Sequence, residues 1–231
     1  RTNVEGTYNV LETARNQEID QILITSTSET YGSAQFVPIH EKHPLVGQSP
    51  YSASKIAADQ LAISYFRSFG LPVKIIRPFN TYGPRQSARA VIPTIISQVL
   101  GGMAKIKLGN ISPTRDLTYV IDTCDAILAI YETDDLVGEV TNIGTGTEIS
   151  IEKLAGTIGK LMNVPMNIIG EESRKRPIGS EVNRLVCDNR KLLDHTNWES
   201  KYQLDSGLEK TIEWFKEREQ KGIEKGRLYN V

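Results

Sequence analysis

The sequence predicts an α/β fold built on a doubly wound parallel sheet. Short runs rich in β-branched residues alternate along the chain with longer segments of helical periodicity. Two of these runs are Ile22–Thr25 and residues 72–77, and between them lies a long helical segment, Pro50–Phe69, that ends before Gly70. Strands that alternate with helices in this way are typical of a parallel sheet with helices on both faces.

The other elements follow from the same two periodicities. Apolar side chains three to four positions apart predict a helix over residues 2–17. Later helices are expected over residues 90–100, 122–131, 150–162 and 206–220, with a short one around Lys191. Later strands are expected near Ile106 and over residues 117–121, 137–143 and 166–169. Asp122 and Ser150 are the expected N-caps of their helices, and residues 78–87 are expected to form a loop.

Composition limits the partners that this chain can have. With 231 residues and 39% hydrophobic content, it can bury a sizeable core. The 27 lysines and arginines nearly balance the 28 acidic residues, so nucleic acid and anionic membranes are not expected partners. No apolar run reaches the length of a membrane span, and the first residues lack the apolar region of a signal peptide. Because Cys124 and Cys187 are far apart and outside any CxxC motif, a reduced, cytoplasmic protein is expected.

The chemistry is expected at the carboxyl end of strand Ile22–Thr25. Residues 26–29 read Ser-Thr-Ser-Glu and follow this strand, at the edge where ligands bind in doubly wound sheets. Tyr51 and Lys55 are four residues apart near the start of the next helix, and so share one face. Each pattern alone also fits an ordinary hydroxyl-rich turn or an exposed helix pair. Together they predict a site that moves a proton beside a sugar hydroxyl.

Six motifs along the chain carry a family resemblance: NVEGTYNVLETA, STSETYG, PYSASK, RPFNTYGP, RDLTYV and GLEKTIEWF. With them the sequence resembles, over nearly its whole length, an extended short-chain dehydrogenase/reductase of the nucleotide-sugar epimerase and dehydratase family. The resemblance implies a Rossmann-type NAD-binding domain, a smaller interleaved α/β substrate domain, a nucleotide-diphospho-sugar substrate and a homodimer. The family's glycine-rich turn and first strands would lie upstream. The NAD-binding part is therefore expected at residues 1–88 and 116–145, and the substrate domain at residues 89–115 and 146–231.

The resemblance also implies catalytic roles at the strand end. Tyr51 would take the proton of the sugar C4 hydroxyl while hydride leaves C4 for NAD⁺. The charge of Lys55 would favour the phenolate, whose ordinary pKa is near 10, and Lys55 would also hold the nicotinamide ribose. Thr27 would hydrogen-bond the hydroxyl being oxidised, and Glu29 would remove the C5 proton and help expel water from C6. Ser28 stands where dTDP-glucose dehydratases carry aspartate, so Glu29 would be both base and acid, or Ser28 would relay the proton.

This arrangement predicts a 4,6-dehydratase that makes a 4-keto-6-deoxy sugar nucleotide. Thr-Ser-Glu also occurs in GDP-mannose 4,6-dehydratases and in UDP-glucuronate decarboxylases. The wider sequence resembles dehydratases that act on nucleotide-linked N-acetylglucosamine, the GDP-N-acetylglucosamine or legionaminic-acid pathway type. A UDP-glucuronate decarboxylase and a nucleotide-sugar 4-epimerase remain alternatives. A third alternative is a non-catalytic fragment that binds nucleotide sugar, because the glycine-rich turn is not part of these residues.

Binding roles are implied for further residues. Cofactor contacts are expected, besides Tyr51 and Lys55, from Asn3, Ser26 and Pro78. Substrate contacts are expected, besides Thr27, from Asn80, Arg89, Arg115 and Arg176, since arginine suits a diphosphate. A turn asparagine and solvated arginines are the ordinary alternatives, and for Glu181, placed near base or ribose contacts of relatives, the surface reading is favoured. No metal is expected, because His40, His43 and His195 lack ligand spacing. Cys124 is expected in the core.

Overall fold

The computed structural model describes residues 1–174 and 182–220 of the chain. The helices of this part are α1 (Glu5–Asn16), α2 (Pro50–Phe69), α3 (Val91–Leu100), α4 (Val120–Glu132), α5 (Ile151–Met162), α6 (Arg190–His195) and α7 (Leu204–Gln220). The strands are β1 (Ile22–Thr25), β2 (Val73–Pro78), β3 (Asn80–Tyr82), β4 (Ile106–Leu108), β5 (Thr114–Arg115), β6 (Leu117–Tyr119), β7 (Val140–Ile143), β8 (Ile149–Ser150), β9 (Ile168–Gly170) and β10 (Arg184–Leu185). Among these described helices, none has the length and apolar character needed to cross a membrane.

The main sheet has the strand order β1-β2-β7, and all of its pairs are parallel. Successive residues of β2 point to opposite faces, so Ile75 packs with α1 and α2 while Ile76 packs with α4 and α6. Helices therefore cover both faces, which explains why β2 is buried along almost its whole length. The α/β class with a parallel sheet, predicted from the alternation of strands and helices, is confirmed.

Helix α2, which connects β1 to β2, begins and ends where the sequence predicted. Ser49 is its N-cap, and the Ser49 and Ser52 side chains accept each other's backbone N–H at 3.1 and 3.0 Å. Gly70 ends the helix in the left-handed conformation, with φ of +69°. Both signals are local in sequence, and the register of α2 places Tyr51 in its first turn.

A second core lies away from the main sheet, between α3, α5 and α7. Its buried residues include Ile95, Leu154 and Leu208, and the parallel pair β4-β9 packs on it. Leu192 and Trp198 come from the stretch assigned to the substrate domain, yet they pack with the main sheet. The predicted division into two domains stays a prediction.

Asp122 is not the N-cap of α4, as the sequence had indicated. The N-cap is Tyr119, and Asp122 lies fully buried in the first turn. Its carboxylate accepts hydrogen bonds from the Ser200 hydroxyl at 2.8 Å and from the backbone N–H groups of Lys201 and Tyr202 at 3.1 Å. Because its carboxylate accepts donors from a distant segment, Asp122 makes a tertiary contact and does not cap the helix. Ser150, by contrast, caps α5 as expected, accepting the Lys153 N–H.

Two further expectations were wrong. Residues 78–87 are not only a loop, because β3 forms within them and pairs with β6. Cys124 is exposed and not in the core. It shares the outward face of α4 with Ile121 and Leu128, which are also exposed. Helical periodicity showed correctly which residues share a face, but an apolar face can also point to solvent.

Candidate active site

The polar segment after β1 forms one turn of 3₁₀ helix, Ser28–Tyr31. Thr27 is its N-cap, with extended backbone, and the Thr27 hydroxyl accepts the Glu29 N–H at 3.3 Å. The Thr30 hydroxyl donates back to the Thr27 carbonyl at 2.8 Å. The hydroxyl groups of this segment thus satisfy the backbone of a sharp turn. The turn places both Thr27 and Glu29 at the carboxyl edge of the sheet.

Helix α2 packs against this turn and brings its first residues to the same edge. The Lys55 ammonium donates to the Thr25 carbonyl, the last of β1, at 2.5 Å. Tyr51 lies one helical turn before Lys55 and is 48% exposed. The two motifs singled out in the sequence, residues 26–29 and the Tyr51–Lys55 pair, are 22 to 29 residues apart along the chain and meet at the end of one strand.

The side chains at this edge differ in exposure. Ser28 is buried, whereas Thr27 and Glu29 are half-buried. Within residues 1–174 and 182–220, no group hydrogen-bonds the Glu29 carboxylate or the Tyr51 hydroxyl. A carboxylate and a phenol without protein partners at the carboxyl edge of a parallel sheet are free to contact a ligand.

The residues predicted to bind the cofactor lie around this edge and differ in their hydrogen-bond partners. The Asn3 side-chain amide donates to the Ser54 hydroxyl at 2.9 Å, and that hydroxyl donates to the Tyr51 carbonyl at 2.7 Å. Pro78 is the last residue of β2. The Ser26 hydroxyl is buried and donates to Asp59 at 2.7 Å, so its side chain is used inside the protein.

The predicted substrate residues lie beyond the next strands. Asn80 begins β3, opposite Leu117 of β6, and Arg115 ends β5 just before that strand. The Asn80 side-chain oxygen is buried and, in the part of the chain that the structure describes, has no hydrogen-bond partner. Arg115 is half-buried and donates to the Thr114 carbonyl at 2.8 Å. Arg89 is exposed in the turn before α3. Arg176 and Glu181 lie outside the described residues.

A metal site is not evident in the described ranges, where no group of three or more His, Cys, Asp and Glu side chains could hold an ion. His43 is buried in the loop before α2. Its ring accepts the Gln35 N–H at 3.0 Å and contacts the Pro44 carbonyl at 2.8 Å. Both ring nitrogens are therefore used by the backbone of the loop.

Comparison with known proteins gives the family. The model of the GDP-mannose 4,6-dehydratase family matches residues 1–211. The chain belongs to the GDP-mannose 4,6-dehydratase family. A dTDP-glucose 4,6-dehydratase of Streptomyces antibioticus is 31% identical over 217 residues, which are 94% of this chain and 64% of that protein. The chain therefore spans less than two thirds of the length of this relative.

Solved structures agree with this membership of the GDP-mannose 4,6-dehydratase family. The dTDP-glucose 4,6-dehydratase of Bacillus anthracis, in complex with NAD, superimposes with a TM-score of 0.86 at 31% identity, over 95% of this chain and 69% of that one. A UDP-glucuronic acid 4-epimerase of Bacillus cereus, in complex with UDP-glucuronic acid and NAD, gives 0.84 at 26% identity, over 93% and 67%. The family resemblance and the Rossmann-type fold expected from the motifs are confirmed.

Sequence reasoning missed the buried polar groups beneath this candidate site. Arg77 and Asp59 form an ion pair at 2.8 Å with almost no exposed surface. Tyr31, next to them, is fully buried, and burial raises its pKa to about 12. The available signal was an arginine within the strand sequence VKIIRP, because charged residues are rarely buried without a partner.

Proposed function

We propose that the full-length protein is an NAD-dependent nucleotide-sugar 4,6-dehydratase. The observation that supports this most is the Glu29 carboxylate, which has no hydrogen-bond partner among the described residues. It lies two residues from Thr27, at the strand end that Lys55 contacts. In this reaction C4 is oxidised to a ketone, and the C5 proton and the C6 hydroxyl leave as water. Hydride then returns to C6 and a proton returns to C5. A carboxylate is required only for the elimination, so its presence favours a dehydratase over a simple epimerase.

The residues at the carboxyl edge suit NAD and the reacting sugar. When bound, NAD⁺ supplies the acceptor for the C4 hydride and returns that hydride to C6. Tyr51 is exposed, so its hydroxyl can reach the C4 hydroxyl and take its proton. Lys55 brings positive charge to the same edge, which favours the phenolate. One of the three ammonium protons is used by Thr25, and the others remain for a ribose.

Glu29 is proposed to be both base and acid in the elimination. It removes the C5 proton and then protonates the departing C6 hydroxyl, and Thr27 hydrogen-bonds the C4 oxygen. A relay through Ser28 is less favoured, because that residue is buried while Glu29 is half-buried. A proton passed directly from the carboxylate needs only one group in contact with the sugar.

Asn80 and Arg115 are proposed to bind the diphosphate or the sugar. The side-chain oxygen of Asn80 is buried and has no partner in the described ranges, which supports a ligand contact, since such atoms are nearly always hydrogen-bonded in proteins. Arg89 and Arg176 add charge for the nucleotide, and Asn3, Ser26 and Pro78 complete the cofactor contacts, Ser26 through its backbone. The two-domain division, an N-acetylglucosamine nucleotide as substrate, a cytoplasmic location and a homodimer belong to the same proposal.

A 4-epimerase is the second candidate, because a solved relative has that activity. Product analysis separates the reactions. The full-length protein is incubated with NAD⁺ and, in parallel, GDP- and UDP-linked N-acetylglucosamine, dTDP-glucose and UDP-glucuronate. Loss of water measured by mass spectrometry supports the dehydratase. Loss of carbon dioxide from the glucuronate indicates a decarboxylase, and an unchanged mass with inverted C4, seen by NMR, indicates an epimerase.

NAD⁺ binding separates an enzyme from a non-catalytic fragment. The 231-residue chain and the full-length protein are titrated with NAD⁺ by calorimetry, and then tested for conversion. Binding and conversion by the longer protein support the proposal. If the full-length protein binds nucleotide sugar but does not bind NAD⁺ and converts no sugar nucleotide, it is a binding protein, and the dehydratase proposal fails.

A further inference from the structure

A buried hydrogen-bond network connects the catalytic turn, defined as residues 27–30 between Ser26 and Tyr31, to the middle of the main sheet. One carboxylate oxygen of Asp59 accepts the Ser26 hydroxyl at 2.7 Å, and it also accepts two N–H groups of Arg77, at 2.8 and 3.1 Å. Asp59 lies one helical turn after Lys55 on α2. Its other oxygen is buried and has no partner among the described residues. Through Asp59, the guanidinium of Arg77 reaches the first residue after β1.

The same guanidinium reaches the other end of the turn. A third N–H of Arg77 donates to the Tyr31 hydroxyl at 3.1 Å, and the guanidinium lies 5.0 Å from the centre of that ring. Tyr31 donates in turn to the side-chain oxygen of Asn142, on β7, at 2.7 Å. The network thus takes groups from α2, β2, β7 and the residues on both sides of the catalytic turn.

We infer that Arg77 is a positioning residue for the catalytic turn. Ser26 and Tyr31 are the two ends of the segment, and a single planar group on β2 bonds the Tyr31 side chain directly and the Ser26 side chain through Asp59. The Ser26 N–H also donates to the Ile76 carbonyl of the same strand at 2.7 Å. Among the described residues, the side chains of Thr27 and Glu29 have no hydrogen bonds outside their own turn. Their positions therefore depend on how the ends are held, and Arg77 holds the side chains at both ends. This inference deepens the proposed function and rests on it for the roles of Thr27 and Glu29.

Arginine suits this role for a geometric reason. Its guanidinium presents N–H groups in a rigid plane, and here two of them meet Asp59 while another meets Tyr31. A lysine would keep the charge near Asp59, but its single ammonium cannot reproduce the fork. Arg77→Lys is therefore expected to preserve the ion pair and to loosen one end of the turn.

Kinetics of the full-length protein test the inference. Arg77→Lys is expected to lower kcat roughly 10- to 100-fold with KM and NAD⁺ affinity nearly unchanged, because a displaced catalytic group costs rate more than binding. Tyr31→Phe keeps the ring and removes one bond, so a smaller loss is expected. Tyr31→Phe also tests the inference if Arg77→Lys does not fold.

Lys74 offers a matched control. It lies on β2 as well, is fully buried, and its ammonium donates to the carbonyls of Ile130 and Tyr131 at the end of α4. Lys74→Met is expected to destabilise the fold and to keep the wild-type kcat below its unfolding temperature. If Arg77→Lys and Lys74→Met lose the same stability and both keep the wild-type kcat, the inference is overturned and Arg77 is a structural residue only.

A crystal structure of the Arg77→Lys variant separates this inference from the proposed function. Residues 27–29 are expected to be displaced relative to the wild-type protein. If they keep their wild-type position, the inference fails, whether or not the protein releases water. If the wild-type protein releases no water from any sugar nucleotide, the proposed function fails, and the displacement still decides the role of Arg77.

Discussion

Tyr31 and Tyr51 carry the same hydroxyl in two different settings near the end of β1. Tyr31 is fully buried, accepts a hydrogen bond from Arg77 and donates one to Asn142, and its pKa is raised to about 12 by burial. Tyr51 is 48% exposed, and within the described residues its hydroxyl has no partner. The difference shows how one strand end can combine a fixed, protonated phenol that supports the structure with an open one that is available to a ligand.

Removing the open hydroxyl is expected to have the largest effect. In the full-length protein, Tyr51→Phe should lower kcat by about 10²- to 10⁴-fold, because the general base is lost. The melting temperature should not change, since no described group bonds this hydroxyl. Tyr8, equally exposed at 48% on α1, provides the control, and Tyr8→Phe should keep full activity. Activity of Tyr51→Phe within threefold of wild type would show that this phenol is not the base.

The carboxylate beside the open tyrosine is expected to act only in the elimination. Glu29→Gln keeps the shape of the side chain, so C4 oxidation should continue while water loss falls by about 10²- to 10³-fold. Deuterium incorporation at C5 from heavy water, followed by NMR, measures the proton removal directly. Glu152→Gln on the exposed side of α5 is the control. Undiminished deuterium incorporation in the Glu29 variant would assign the base to another residue.

Removing the buried hydroxyl should affect stability, in addition to the small loss of kcat expected for the same variant. Tyr31→Phe leaves an N–H of Arg77 and the side-chain oxygen of Asn142 without a partner, at a cost of about 1–3 kcal/mol in the free energy of unfolding. Urea denaturation measures this cost, and Tyr51→Phe should change it by less than about 0.5 kcal/mol. Equal stabilities of the two variants would remove the distinction between the two tyrosines.

The smallest effect should depend on alkaline pH. The pKa of Tyr31 is raised from 10.0 to about 12 on folding, so its neutral form contributes stability that is complete below pH 10 and is lost as pH rises through 12. This rise in pKa corresponds to a loss of at most about 3 kcal/mol in the free energy of unfolding. The stability difference between wild type and Tyr31→Phe should therefore be constant up to pH 10 and shrink towards pH 12, as measured by urea denaturation at several pH values. A constant difference up to pH 12 would contradict the burial of this phenol.

Local signals explain which parts of the molecule the sequence predicted. The start of α2 at Ser49 and its end at Gly70 are encoded within a few residues, and the spacing of Tyr51 and Lys55 within the helix is enough to place them on one face. The partners of Arg77 lie 18 and 46 residues away, and no local pattern indicates them. Asp122 illustrates the same limit. Its local pattern predicted a helix cap, but its carboxylate accepts donors about 80 residues away.

The position of Arg77 on a central strand has a consequence for how the protein opens. The network around it takes groups from α2, β7 and the residues that flank the turn, so the turn cannot detach without breaking its hydrogen bonds to a buried ion pair at the centre of the sheet. Local fluctuation of this segment is thereby coupled to the unfolding of the whole sheet, and both belong to one cooperative unit. Backbone amides around Glu29 then gain the slow hydrogen exchange of the core, even though the Glu29 side chain itself is only half-buried.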